Sequence, residues 1–362
     1  MLLTAGFLVL NHWADSFASF LLCALGFGLS GASFAVGIAY TSLWFPKERQ
    51  GTALGIFGAG NVGAAVTKFA APFVMLALGW EAVAQVWAGV LLVVALLFFV
   101  LTRDEPQLIE RRRTGEKPVA AWLQLAPLKD IRVWRFSLYY FFVFGGFVAL
   151  ALWLPHYLTS AYGLGIGAAG MLAAAYSIPG SLFRVFGGWL SDRIGARKVM
   201  YLTFIISVVC VFILSYPATS YVVDGIDGPI RFRLAMSLPV FTVVVFVLGF
   251  AMSLGKAAVF KHIPVYYPDH VGSVGGLVGM IGGLGGFILP IAFGILNDLT
   301  GVWTSCFMLL FLLVLGALIW MHFAVRRMER RRSPMLAALP DFPELAGVGP
   351  DSAAAAIAPR SN

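Results

Sequence analysis

Ten stretches of this chain are apolar almost without interruption, and that restricts its fold more than any other feature. They cover roughly residues 1–12, 17–45, 51–78, 82–101, 133–158, 166–190, 199–217, 235–263, 271–296 and 303–325. Crossing the hydrocarbon layer of a bilayer takes about 20 residues of helix, and all the runs except the first come close to that length or exceed it. In lipid every backbone N–H and C=O must be satisfied inside a helix or a closed barrel, and barrel strands alternate over about ten residues. These runs are continuous instead. The expected class is therefore all-α, a polytopic transmembrane helical bundle of about ten hydrophobic segments. Composition agrees, with 60% hydrophobic and only 12% charged residues, where soluble domains carry about a quarter charged. Cys23, Cys210 and Cys306 are far apart and lie inside apolar runs, so they read as small packing residues. There is no metal-ligand cluster, nucleophile elbow or phosphate-cradling loop after a strand. A soluble enzyme is excluded, and no catalytic residue, metal or cofactor is expected.

The placement of basic residues sets the expected orientation. If Pro46–Gln50 faces the cytoplasm, nineteen of the 25 lysines and arginines lie on that side, against Arg231 and Arg233 on the other. The net charge of +8 then reflects membrane topology, not nucleic-acid binding. The expected location is the inner (plasma) membrane, multi-pass, with a cytoplasmic C-terminus. Residues 1–102 read as one half bundle, 103–132 as a charged cytoplasmic loop, 133–326 as a second half bundle, and 327–362 as a disordered cytoplasmic tail.

The two halves repeat. FPKERQGTALGIFGAGNVG at 45–63 echoes YPDHVGSVGGLVGMIGGLGG at 267–286, with Pro46 against Pro268. The same offset puts the mates of the second half's first helices upstream of Met1. The chain is thus expected to hold helices 3–12 of a twelve-helix plan, with a missing N-terminal segment.

All seventeen acidic residues fall in loops, helix ends and the tail, whereas Lys68, Arg184, Lys256 and Lys261 fall within hydrophobic runs. A cation at the bilayer centre costs about 2.5–3.5 kcal/mol on insertion scales, and Arg184, Lys256 and Lys68 have no acid in the sequence to offset it. The substrate can be the counter-ion, which makes it an anion. Arg184, about 10 Å of helix before the turn at Ser191, carries a permanently charged planar fork that suits a planar oxyanion; bracing the turn at Asp192 is the alternative. Lys256, about 18 Å before Pro268, and His262 are candidates for steering the anion or carrying a proton. Lys261 reads as snorkelling toward the interface.

Glycines form stripes at 51, 55 and 58 and at 272, 276, 279, 283 and 286, faces that let helix backbones approach closely. Among them Asn61 offers an amide donor near mid-depth. Tyr140 and Phe144, four apart on one face, and Phe34 are aromatic candidates for the wall, with packing as the alternative reading for each.

GIFGAGNVG at 55–63 and GMIGGLGGF at 279–287 resemble the paired signatures of the NarK-like nitrate/nitrite porters of the major facilitator superfamily, and SDRIGARK at 191–198 resembles that superfamily's loop motif. The resemblance runs from residue 1 to about 330. It implies parallel-repeat halves with the substrate between them, nitrate or nitrite as cargo, and an anion site made of Arg184, Asn61, Tyr140, Phe144 and Phe34 with the signature glycines Gly58, Gly282 and Gly283. It also implies a second arginine on a helix this sequence does not contain. LGKAAVFKHIPVYYP at 254–268 resembles the branch that imports nitrate with protons. The expected function is therefore proton-coupled nitrate uptake by alternating access. The alternatives are nitrate/nitrite exchange, a carrier for another anion such as a carboxylate, or a non-transporting fragment.

Overall fold

A computed structural model describes residues 1–104, 109, 113–115 and 123–330. Most of the central loop, and the tail beyond residue 330, lie outside the described residues. The described chain is a bundle of helices with one β-hairpin. In order these are α1 (Leu2–Leu10), α2 (Phe17–Gly28), α3 (Ala32–Trp44), α4 (Gln50–Ala59), α5 (Gly63–Leu78), α6 (Trp80–Leu101), α7 (Ile131–Tyr140), α8 (Phe147–Tyr162), α9 (Ile166–Leu182), α10 (Arg184–Ile194), α11 (Ala196–Ser215), β1 (Thr219–Gly225), β2 (Gly228–Leu234), α12 (Leu238–Tyr266), α13 (Val271–Thr300) and α14 (Ser305–Arg330). Eight spans among the described residues are long and apolar enough to cross a bilayer, with α2–α3, α7–α8 and α9–α10 each running as one. The expected run at 51–78 is α4 and α5, joined through a tight turn at Gly60–Val62.

Helix boundaries follow local chemistry. Ser16 and Ser19 form a reciprocal capping box at the start of α2, satisfying N–H groups that have no intrahelical partner. α3 stops before Pro46, because the residue preceding proline is driven out of the α region. Between α5 and α6, and between α10 and α11, a single residue reverses the chain, and each is a glycine with φ near 90°, Gly79 and Gly195. Only glycine takes that conformation without steric penalty.

Two departures from simple spans matter for the site. Residues Phe141–Gly146, between α7 and α8, form a wider π-helical turn, a feature common at functional positions. There Gly145 lies against the backbone of α13, where an added Cβ would stand 2.7 Å from the Gly282 carbonyl oxygen. The other departure is the break between α9 and α10 after Pro179, which makes Arg184 the first residue of a new helix.

The sequence reading placed Arg231 and Arg233 outside the spans without assigning them an element, and the structure puts both on a β-hairpin. β1 and β2 pair antiparallel from Thr219↔Leu234 to Gly225↔Gly228. The alternation in TSYVVD and PIRFRL, with glycines flanking a two-residue turn, was the available signal.

Large apolar side chains such as Leu76, Phe99, Ile166 and Leu299 face outward, as lipid permits. Tyr140, Phe142, Phe204, Phe260 and Phe307 are buried in the core.

Candidate functional site

The site begins with a close helix crossing. α4 presents Gly51, Gly55 and Gly58 to α10, which presents Gly188 in return. A Cβ on Gly55 would stand 2.7 Å from the Arg184 carbonyl oxygen, and one on Gly58 would overlap the Arg184 guanidinium. Small residues let two backbones touch where lipid offers no hydrophobic drive. The glycine stripe therefore has a definite purpose: it brings α4 onto α10 and leaves room for the Arg184 side chain.

That side chain is 1% exposed, and its Nε and Nη1 have no hydrogen-bond acceptor. No carboxylate forms an ion pair with it among the described residues. Its guanidinium lies over two rings instead, 5.3 Å from the centroid of Phe34 and 5.6 Å from that of Phe260. The buried Tyr140 hydroxyl lies beside it, close enough to interact with the guanidinium. Tyr140 stacks on Phe144 at 4.9 Å and meets Phe260 edge-on at 4.7 Å. Gly282 makes space for the Tyr140 ring. Cation–π contacts offset part of the cost of a buried guanidinium, yet unmet N–H donors in a dry interior remain expensive. The arrangement suits an acceptor-only ligand.

Two chambers adjoin this box. The larger, of about 740 Å³, is lined by Phe34, Asn61, Phe144 and glycines of α13 including Gly283. The smaller, of about 400 Å³, is lined by Asn61, Phe144, Phe147, Ser177 and Ser181. Asn61 and Phe144 belong to both, and the Asn61 Nδ2 is buried without an acceptor. Arg184 lines neither chamber; Phe34 lies between it and the larger one. Phe260 escaped the sequence reading, although its position one helical turn after Lys256, on the same face, was a usable signal.

Lys256 is fully buried, and the structure finds it a partner that sequence could not show. Its Nζ donates to the Gly180 carbonyl oxygen at 2.8 Å and lies 3.3 Å from the Phe147 ring centroid. Arg184 is within its electrostatic reach, so two basic side chains share a region that has no ion-paired acid among the described residues. His262 belongs elsewhere: its Nδ1 meets the Ala258 carbonyl oxygen at 2.7 Å, and its ring packs against Phe136 and Tyr266. The Lys68 side chain lies outside the described residues.

Lys261 does not snorkel. Its Nζ pairs with Asp192 Oδ1 at 2.8 Å in a buried setting and also donates to the Lys47 carbonyl oxygen. Asp192 further accepts from the backbone N–H groups of Gly51 (2.8 Å) and Thr52 (2.6 Å) and from the Thr52 hydroxyl. A carboxylate thus caps the positive end of α4, latching α4, α10 and α12 together near the basic end. Asp192 is therefore held by Lys261 and α4, not by Arg184.

The geometry makes Gly58 testable. Gly58→Ala should push the guanidinium off its rotamer, a cost of about 0.5–1.5 kcal/mol, and so weaken binding of an anion at Arg184 roughly two- to thirteenfold. Gly63→Ala, where a Cβ meets nothing within 4 Å, should leave binding unchanged. Equal effects of the two in an uptake titration would dissociate Gly58 from Arg184.

Comparison with known proteins places this geometry. The family model of the Major Facilitator Superfamily matches residues 1–224 and 157–352. A Thermus thermophilus protein named "Probable nitrate/nitrite antiporter NarK1" is 44% identical over 338 residues, covering 89% of this chain and 74% of the relative. A nitrite extrusion protein of Bacillus subtilis (strain 168) is 30% identical over 317 residues, 86% of this chain and 74% of the relative. Among solved structures, the E. coli fucose:proton symporter FucP superposes with a TM-score of 0.63 at 17% identity, over 89% of this chain and 80% of that one. That last likeness is one of fold.

Proposed function

Because this chain belongs to the Major Facilitator Superfamily, within its NarK-like nitrate/nitrite porters, we propose that it carries nitrate across the inner membrane by alternating access, with Arg184 as the principal ligand of the anion. The observation that carries the reading is a buried guanidinium with two unmet donors, no acidic partner among the described residues and an aromatic box around it. Nitrate is planar and acceptor-only, so it fits the guanidinium fork and the flanking rings together. Asn61 and the Tyr140 hydroxyl supply further donors, and Phe34, Phe144 and the glycines Gly58, Gly282 and Gly283 shape the wall. Residues 1–102 and 133–326 act as two bundles joined through 103–132, rocking about the bound anion. The end carrying Lys47, Arg49 and Arg193 faces the cytoplasm, as the charge bias requires, and the C-terminus lies on the same side.

Proton-coupled import is the preferred coupling. Lysine, unlike arginine, releases its proton readily, and Lys256 lies within electrostatic reach of the anion's ligand. The rival reading is exchange of nitrate for nitrite, favoured by the name of the Thermus relative. Proteoliposomes separate them. Nitrate uptake driven by an inward proton gradient, without internal nitrite, is the expected result; strict dependence on internal nitrite would convert the assignment to exchange. Uptake of formate or lactate with no competition from nitrate would end the nitrate assignment itself. Lys256→Gln keeps a donor for the Gly180 carbonyl and removes the charge. It should cut proton-driven uptake at least about tenfold while gradient-free nitrate binding survives, and unchanged proton dependence would exclude Lys256 as carrier.

A further inference from the structure

α7 carries two consecutive tyrosines that part company. Tyr140 turns toward Phe260 and Arg184, whereas Tyr139 turns toward α11, with its ring 5.2 Å from that of Phe204. One turn before Tyr139, on the same face, stands Arg135, which is 7% exposed, with a buried Nε that has no acceptor. The Tyr139 hydroxyl is likewise buried and unmet. It lies within electrostatic reach of Arg135 and of the Tyr201 and Tyr266 hydroxyls.

The surroundings add further polar groups and rings. The Arg135 guanidinium lies over the Phe136 ring at 5.4 Å, and Tyr266 packs on Phe136 and on His262. The Tyr201 hydroxyl faces the His322 Nδ1 at 3.4 Å.

The nearby acid is committed elsewhere. Asp130 pairs with the Arg132 guanidinium at 2.7 Å and accepts from the Tyr267 hydroxyl at 2.7 Å. Burial pushes the Asp130 carboxyl up, but the hydrogen bonds from Arg132 and Tyr267 outweigh it and hold it down to about 2. It remains a carboxylate, engaged by those two groups. A buried guanidinium and a phenol, each with an unmet donor, call for the same missing chemistry: a compact group that only accepts.

We propose that Arg135 and Tyr139 form a second oxyanion site, near the basic end of the second helical group and separate from Arg184. Neither residue lines the two chambers beside Asn61, so the site stands off the central box. Its ligand is a small inorganic oxyanion, and either the transported species or bulk phosphate can supply that chemistry. Occupancy ties α7 to α11 and α12. Because α7 also carries Tyr140 and leads directly into Phe144, an anion bound there braces the aromatic wall of the central site. The site is therefore placed to sense anion concentration at that end.

Isothermal titration calorimetry on the full-length chain in detergent tests this, with sodium nitrate and inorganic phosphate as probes. Arg184→Ala removes the central ligand and should leave one saturable oxyanion site. Adding Arg135→Gln should weaken that site at least about tenfold, and adding Tyr139→Phe about tenfold, the effect of one hydrogen bond to a charged group. Retention for nitrate identifies the substrate as the occupant, and retention for phosphate alone identifies phosphate; both support the site. If the Arg184→Ala protein binds neither probe saturably, or if its binding ignores Arg135→Gln, the proposal is overturned. Should Arg135→Gln not yield monodisperse protein, Tyr139→Phe decides alone, because it removes a single oxygen; unchanged affinity then overturns the assignment. The central site fails differently, by leaving wild-type nitrate uptake insensitive to Arg184.

Discussion

Replacing Arg184 with lysine is expected to lower nitrate uptake into proteoliposomes roughly 10- to 150-fold while the protein remains folded. Charge is conserved in this change, so a purely electrostatic role would survive it. What disappears is the planar fork: an ammonium cannot offer two parallel N–H groups to one planar oxyanion, and it stacks less well between rings. One hydrogen bond to a charged group is worth about 1.5–3 kcal/mol, which sets the range. The guanidinium already sits between Phe34 and Phe260, a geometry that favours a flat cation. Near-normal uptake by the lysine variant would remove Arg184 from the site, and with it the central claim about substrate binding.

Asp192→Ala is the second large effect. The variant strands the Lys261 ammonium and leaves the Gly51 and Thr52 N–H groups without their acceptor. Removing one partner of a buried pair costs about 3–5 kcal/mol. The latch joins α4 to α10 and α12, so that energy is lost from the conformation in which these three helices meet. A shift of about 3 kcal/mol is more than a hundredfold in the population ratio. Ser191→Cys, buried beside the latch, should accordingly become reactive to a maleimide in the Asp192→Ala background and stay protected without it. Asp192→Ala with Lys261→Met should recover much of the lost thermal stability, because an apolar pair of similar volume is often as stable as a buried ion pair. If labelling stays unchanged and the double variant is no more stable than the single one, the latch carries no conformational energy.

Much of the candidate site is legible in the sequence. Arg184 was conspicuous because a charge inside an apolar run has few harmless explanations. The glycine stripes were legible as spacing, and Asn61 as a lone amide among them. Lys261 was misread as snorkelling because its partner, Asp192, lies 69 positions away at a helix end, where an acid attracts no notice. Phe260 was passed over because one phenylalanine among 31 carries no signal of its own. The Arg135–Tyr139 pair was hidden for a related reason: an arginine near a helix start reads as an interface residue until its burial is known.

What the sequence determined by itself is the helical class, the positions of the spans and the stranding of positive charge without acids. Those follow from short-range rules, since lipid forces each segment to satisfy its own backbone over a length the bilayer dictates. What only the tertiary structure decided is which charges find partners. Lys256 meets the Gly180 carbonyl 76 positions away, and Asp192 reaches Gly51 across 141, while Arg184 and Arg135 are left with unmet donors. Those outcomes depend on how helices cross and where a glycine lets one approach another, and no spacing along a single helix encodes a partner on a different one.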